Sequence, residues 1–382
     1  MASFLPALPL PAGIRSRQVG GVNGLDMHVL EAGETSNPGL LLLHGFPELA
    51  YSWRKVMLPL ADAGYRVIAP DQRGYGRTTG WDGRFDGDLA SYRLTNLVKD
   101  QVALLDKLKI RTVKAVVGHD FGSPVAAWCA LLHPEIFRSL VLMSSPFAGP
   151  PAAVAGPPGT PPPPDPVHDA LAALPRPRKH YQWYYSTRAA DADMRDCPQG
   201  IHAFLRAYYH SKSADWKGNR PHELASWSAP ELAKMPTYYI MELAQDMAQT
   251  AAAYMPTAAE IAACRWLNEE ELRVYSDEFA RTGFQGALQW YRCRTTGQFN
   301  DDLAIHAGRA VEVPACFIAG RSDWGPYQRP GDLARMRKNS FAQDRGCHFI
   351  DGAGHWVQQE QPADVLRLLL GFLGLEMADR KG

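Results

Sequence analysis

The chain lacks an excess of charge of either sign: among 382 residues, 40 Lys and Arg balance 40 Asp and Glu. No long block of one sign breaks that balance, which argues against a nucleic-acid partner and against a polybasic membrane anchor. Long apolar runs are missing too. None approaches the roughly 20 residues of a membrane-spanning helix, so no membrane insertion is expected. Six cysteines (129, 197, 264, 293, 316 and 347) are scattered without a C-x-x-C pair. That pattern points to reduced thiols in a cytoplasmic enzyme rather than to a disulfide framework. No Cys/His cluster has metal-ligand spacing, so neither a metal nor another cofactor is expected. The opening stretch, residues 1–13, has no cationic residue ahead of its short apolar run and contains three prolines. It reads as an extended arm and not as a signal peptide.

What is present is a chain with 46% hydrophobic residues, enough for one large domain or a core carrying an insertion. A hairpin is expected at 17–30 around Asn23-Gly24, where an Asn-Gly pair suits a two-residue turn. Apolar runs at 39–44, 65–69, 113–117 and 139–143 read as buried strands. Amphipathic helical patterns fall between them at 51–63 and 92–108. Residues 149–166 are dominated by proline and are expected to be an extended connector. A docking motif for a proline-binding module is the alternative there. From about 167 to 294 the pattern is helical, rich in Ala, Tyr and Trp, with almost no strand signal. Strand-like sequence returns at 311–319 and 345–350, followed by a closing helix at 363–373. Strands alternating with helices imply a mostly parallel sheet. The expected architecture is α/β, with core segments 1–146 and 298–382 around a connector and helical cap at 147–297. Such a cap would cover the carboxyl ends of the strands, where open α/β sheets bind ligands.

The turn Gly118-His119-Asp120-Phe121-Gly122 joins a β-branched strand to an Ala/Leu-rich helix. It fits the G-x-S-x-G nucleophile elbow with Asp in place of Ser. The swap selects the chemistry. A carboxylate that attacks a saturated carbon leaves an ester, which water cleaves at the carbonyl. A hydroxyl attacking the same carbon would leave an ether that no mild hydrolysis removes. Asp120 therefore points to epoxides or alkyl halides and away from ordinary carboxylic esters.

Such a nucleophile needs a base to activate water. His355 lies in a Gly-rich loop before the last helix, and Asp323 follows the preceding strand. The chain order Asp120, Asp323, His355 is the nucleophile–acid–histidine order of α/β-hydrolases. The other common place for the acid, after the strand ending near Met143, holds Ser144 and Ser145 and no carboxylate. Two backbone N–H groups are candidates for an oxyanion hole: that of Phe121, after the nucleophile, and that of Phe46, in the loop after the strand at 39–44.

These motifs resemble an epoxide hydrolase of the α/β-hydrolase superfamily, of the soluble, Asp-nucleophile type. The resemblance covers nearly the whole chain: HGFPE at 44–48, YSWR at 51–54, DQRGYGRT at 71–78, GHDFG at 118–122, SDWG at 322–325 and GAGHW at 352–356. HGFP and D-x-R-G-x-G mark only the superfamily, and Asp71 and Arg73 are read as fold-stabilising. The resemblance implies two cap tyrosines that hold the epoxide oxygen. Tyr291 matches an N-W-Y-R-like stretch, and Tyr181 a Y-Q-x-Y-like stretch. Tyr184 competes with Tyr181, with Tyr185, Tyr238 and Tyr239 behind it. A phenol of ordinary pKa, about 10, stays protonated at neutral pH and can donate. The resemblance also implies that Glu48 helps position water, against the alternative of a surface or capping carboxylate.

Three departures stand out: Phe121 where many relatives carry Trp, Gln289 where Asn is usual, and a long proline-rich connector. A dehalogenase would use the same Asp, acid and His, but Phe46 and Phe121 offer no side-chain N–H to a leaving halide. A non-catalytic ligand-binding relative would be expected to have lost part of the set Asp120, Asp323 and His355, and none is lost. The expected partner is a small epoxide with an apolar or aromatic substituent, turned into a vicinal diol. Nothing in the sequence sets an oligomeric state.

Overall fold

A computed structural model describes residues 5–152 and 164–374 of the chain. β1 (Arg15–Val22) and β2 (Leu25–Ala32) form the expected antiparallel hairpin. Asn23 and Gly24 both take positive φ, 48° and 82°, as a twist-matched two-residue turn requires. β3 (Gly39–Leu43), β4 (Arg66–Pro70), β5 (Val113–His119) and β6 (Leu140–Met143) follow. After the helical region the chain returns through β9 (Val311–Gly320) and β10 (Phe341–Ile350). The last strand begins four residues before the apolar signal at 345, because Phe341 already pairs with Val311.

The eight strands are ordered β1-β2-β4-β3-β5-β6-β9-β10. β2 is antiparallel to both neighbours, and the remaining pairs are parallel. Alternation along the strands splits the core in two. Leu40, Leu42, Ala115, Val117, Val141 and Ile318 pack on one face against the helices Arg54–Asp62 and Pro362–Leu373. Leu41, Leu43, Val116, Leu140, Leu142 and Phe317 pack on the other, against the helices Leu94–Lys107 and Gly122–Leu132. Each large apolar side chain so buried contributes about 1.5–3 kcal/mol.

The second cluster does not stop at the sheet. It runs without a break into the aromatic interior of the inserted helical cap, through Phe46, Phe121, Tyr181, Tyr185, Phe284 and Tyr291. Polar contacts reinforce the junction. The Tyr209 hydroxyl donates to Pro47 O at 2.9 Å, and Trp290 Nε1 donates to Arg73 O at 2.9 Å. Arg54 meets Glu271 at 2.8 Å.

The cap departs from expectation in one respect: it contains β7 (Arg178–His180) and β8 (Ile240–Glu242), paired antiparallel. Three residues per strand are too few for a period of two to show in a sequence. Residues 5–13 of the arm form no helix or strand; Leu8 and Leu10 pack on the core, and Pro9 O accepts from the Tyr51 hydroxyl at 3.2 Å. Most of the proline-rich connector, residues 153–163, lies outside the described residues. Pro166 directly precedes the first cap helix, Val167–Ala172.

Candidate active site

Asp120 stands between β5 and the helix Gly122–Leu132 with φ of +50°. A non-glycine residue rarely holds that conformation, and here the packing on either side enforces it. A Cβ on Gly122 would lie 2.3 Å from Leu43 O, and one on Gly45 would lie 2.3 Å from the Asp120 Cβ. The glycines let two loops close on the carboxylate.

That closure gives Asp120 its partners. Oδ1 accepts the backbone N–H of Phe46 at 2.9 Å, and Oδ2 lies 3.3 Å from His355 Nε2. On the far side of the ring, His355 Nδ1 meets Asp323 Oδ1 at 3.0 Å, and the same oxygen accepts the Gly325 N–H at 2.7 Å. His355 and Asp323 are each 1% exposed, whereas the Asp120 side chain, 12% exposed, faces a cavity. Asp120, His355 and Asp323, far apart in the chain, are thus brought together. Phe121 lies at the entry of the helix that follows Asp120.

Burial works against the charge on Asp120. The hydrogen bond and charge of His355, with Lys212 and His119 behind them, outweigh it and hold the carboxyl well below the usual range. For His355 burial also opposes charge, but Asp323 and the bond to Asp120 raise the imidazole to about 9. The resting site is therefore an ion pair with Asp323 behind it.

Across the cavity are the cap tyrosines. Asp120, Phe121, Tyr181, Tyr291, Gln182 and Gln328 are among the residues lining a space of about 40 Å³. The Tyr181 hydroxyl donates to Gln328 Oε1 at 2.9 Å and accepts from Gln182 Nε2 at 3.1 Å. The Tyr291 ring packs edge-on against Phe121 at 4.8 Å and Phe46 at 5.5 Å. Burial, joined by the charge of Asp120, raises both phenols above their ordinary pKa, so both are protonated donors. Three of the competing tyrosines are bonded elsewhere. The Tyr184 hydroxyl donates to Asp193 Oδ2 at 2.9 Å, Tyr185 to the Tyr208 hydroxyl at 3.1 Å, and Tyr238 to Asn219. The Tyr239 hydroxyl is buried without a partner among the described residues.

Glu48 is neither at the surface nor in contact with Asp120. It is wholly buried, with Oε1 accepting from the Gln358 and Gln359 amides at 2.9 and 3.1 Å. Its Oε2 takes the Gly45 N–H at 3.1 Å and sits 2.5 Å from His119 Nδ1. His119 Nε2 in turn reaches the His355 carbonyl at 2.7 Å. This chain escaped the sequence reading, although His119 adjoins the nucleophile. Asp71 and Arg73 are engaged in the scaffold. Asp71 binds His28 and the N–H groups of Ala50 and Arg77, and Arg73 forks onto Asp100 at 2.7 and 2.8 Å.

A larger pocket of about 450 Å³ adjoins the space beside Asp120, sharing Phe121, Ser145, Pro146, Arg294, Arg329 and Asp332 with it. Its walls include Trp128, Phe147, Trp290, Phe299 and Leu303. No helix among the described residues is long and apolar enough to cross a membrane.

Comparison with known proteins agrees with this geometry. Residues 38–362 match the family model of the alpha/beta hydrolase fold. The chain is 34% identical to epoxide hydrolase A of Mycobacterium tuberculosis, over 96% of this chain and 99% of that protein. It is 36% identical to epoxide hydrolase B of the same organism, over 89% and 92%. Among solved structures, an epoxide hydrolase from an endophytic Streptomyces superposes with a TM-score of 0.75 at 30% identity, covering 95% of this chain and 96% of that one. Epoxide hydrolase I of potato superposes with a TM-score of 0.70 at 30% identity, covering 94% and 99%. With an Asp elbow, a His–Asp pair and a tyrosine-bearing cap on this sheet, the chain belongs to the epoxide hydrolases of the α/β-hydrolase fold.

Proposed function

We propose that the protein converts an epoxide to a vicinal diol through an ester on Asp120. The observation that carries this reading is the Asp120 carboxylate itself, bonded to Phe46 N–H on one side and set against His355 on the other, beneath two protonated cap tyrosines. In the first step Asp120 Oδ2 attacks an epoxide carbon and the C–O bond of the ring breaks. Tyr181 and Tyr291 hold the departing oxygen, and one of them supplies its proton and is reprotonated by His355 before the second step. The two hydroxyls act together because the developing alkoxide meets donors already oriented by packing.

In the second step water attacks the Asp120 carbonyl carbon while His355 Nε2, oriented by Asp323, takes its proton. The N–H groups of Phe46 and Phe121 stabilise the oxyanion that forms on Oδ1. Collapse breaks the acyl C–O bond and the leaving alkoxide takes a proton from His355; the Asp120 carboxyl then passes its own proton to His355, and the resting ion pair is restored. Glu48 acts on the water at second hand in this scheme, by fixing His119 beneath the His355 loop. Neither step calls for a metal or cofactor.

The substrate's substituent occupies the larger adjoining pocket, whose Trp and Phe walls favour an apolar or aromatic group. Core segments 1–146 and 298–382 then carry the nucleophile, base and acid, and the cap segment 147–297 carries the tyrosines. Six unpaired cysteines support a reducing, cytoplasmic setting.

Single-turnover hydrolysis of styrene oxide in heavy-oxygen water tests the reading. The diol of the first turnover should carry no label, because its new oxygen comes from Asp120 and the label enters the carboxylate. Label in that first diol would show direct attack by water and end the proposal.

A further inference from the structure

Lys212 is the last residue of the 13-residue cap helix Gly200–Lys212, where the helix dipole favours a cation. It is 3% exposed. Its Nζ lies among four phenol rings, 4.6 Å from the centroid of Tyr239, 4.9 Å from Tyr208, 5.5 Å from Tyr181 and 5.9 Å from Tyr238. Ring faces hold an ammonium electrostatically while leaving it without a carboxylate of its own. Its backbone is fastened to the base: the His355 N–H donates to Lys212 O at 2.8 Å. A Cβ on Gly354 would lie 2.4 Å from that same carbonyl, so the loop can approach only as glycine. The caged charge is felt by Asp120, Asp323 and His355 alike.

We propose that Lys212 is a positioning residue of the second half-reaction, a fixed buried cation that makes His355 surrender its proton once Asp120 has become an ester. This rests on the two-step reading above. At rest the buried site holds two carboxylates, Asp120 and Asp323, against two cations, His355 and Lys212. The neighbouring carboxylate Glu48 is matched by its own partner, His119, whose ring lies 5.0 Å from that of His355. Glu360 faces the loop from the other side but is occupied by the N–H groups of Ala214, Gly354 and Trp356.

Alkylation moves the charge of Asp120 onto the epoxide oxygen and then, as that oxygen takes its proton, onto Tyr181 or Tyr291, and it leaves both cations in place. Two positive groups then share the one carboxylate of Asp323, and the tyrosinate across the cavity takes a proton from one of them and becomes a phenol again. Burial lowers the Lys212 ammonium to about 8, but with the ester Lys212 loses only a charge at a distance, whereas His355 loses the hydrogen bond to Asp120 that helped hold its proton. His355 becomes neutral when a base is required, and it is protonated beforehand, when it serves only to hold Asp120.

The sign of the test follows. Without the ammonium, nothing opposes Asp323 in the alkyl-enzyme, so His355 stays protonated to higher pH. In Lys212→Met, the acid limb of ester hydrolysis, followed by stopped-flow single turnover of styrene oxide, should move up by about one pH unit. On that limb hydrolysis slows about tenfold, whereas alkylation changes by less than about threefold. Lys212→Arg keeps the charge and should keep the limb in place; Lys212→Gln carries the same readout as Met should the Met variant fail to fold. An unmoved limb in the neutral variants, or an equal shift in Arg and Met, would overturn the inference while leaving the ester intact. A wild-type enzyme that forms no ester would instead overturn the two-step reading and this inference with it.

Discussion

The two halves of the site are held by different means. On the core side, position is a property of the backbone. Asp120 is fixed at φ +50° by two flanking turns, Phe46 contributes an N–H, and glycines at 45 and 122 allow approaches that no Cβ permits. On the cap side, position comes from side-chain packing. Tyr181, Tyr185 and Tyr291 meet edge-on at 5.0–6.0 Å, and the Tyr181 hydroxyl is steered by Gln182 and Gln328. The lesson is a division of labour. The half to which the proposed mechanism gives the covalent bond is built where small errors are sterically forbidden. The half that receives the substrate is built from rings that can be exchanged.

The sharpest way to break this comparison is at the nucleophile. Asp120→Ala should cost on the order of 10⁵-fold or more in kcat/KM, because no neighbouring group can form the ester in its place. Residual turnover within about a hundredfold of wild type would mean the carboxylate is not the attacking group. His355→Gln comes next, with a loss on the order of 10³-fold or more in kcat. Its signature is a split: alkylation proceeds and the ester accumulates, visible as a stoichiometric burst of epoxide loss or as added mass on Asp120. A variant that neither alkylates nor turns over would place His355 in the first step instead.

The same division explains what the sequence revealed. G-x-D-x-G, HGFP and the Gly-rich loop before His355 are legible because tight backbone approaches demand glycine at fixed spacing, and the spacing survives in one dimension. Asp323 was legible for a related reason, since it follows a strand whose neighbours in the sheet are strongly patterned. The cap offered no such rule. Tyr181 and Tyr291 were picked out only by resemblance, and Tyr184 could not be separated from Tyr181 without coordinates. Lys212 gave no signal at all. A lysine at a helix end is ordinarily solvated, and only the folding of four distant tyrosines around it makes it a buried charge. Glu48 was visible as a motif residue, but its link through His119 to the His355 carbonyl depends on three separate chain segments.

A smaller effect is expected on the cap side. Tyr291→Phe and Tyr181→Phe should each slow alkylation about 100-fold, since one donor to the developing alkoxide remains. Removing both should cost far more than either alone, as expected of groups acting on one charge. Ester hydrolysis, measured separately in the same single-turnover traces, should change little in either single variant. If Tyr181→Phe slowed hydrolysis and left alkylation alone, the tyrosine would belong to the water-activating half, and the division between core and cap would fail.

The smallest effect sharpens the comparison most, because it separates two tyrosines three positions apart. Tyr184 and Tyr181 lie on the same short helix, Tyr181–Tyr185, yet their hydroxyls face different partners. That of Tyr184 donates to Asp193 at 2.9 Å, at the edge of the cap, and it is absent from the lining of the catalytic cavity. Tyr184→Phe should therefore leave both half-reactions within about twofold of wild type. It should lower stability by about 1 kcal/mol, the usual net worth of one hydrogen bond, read as a shift in the denaturation midpoint. The reverse outcome, intact stability with alkylation slowed as in Tyr181→Phe, would move the second acid to Tyr184. It would also mean that the cap helix turns by about 60° when substrate binds, because three positions at about 100° each fall that far short of a full turn.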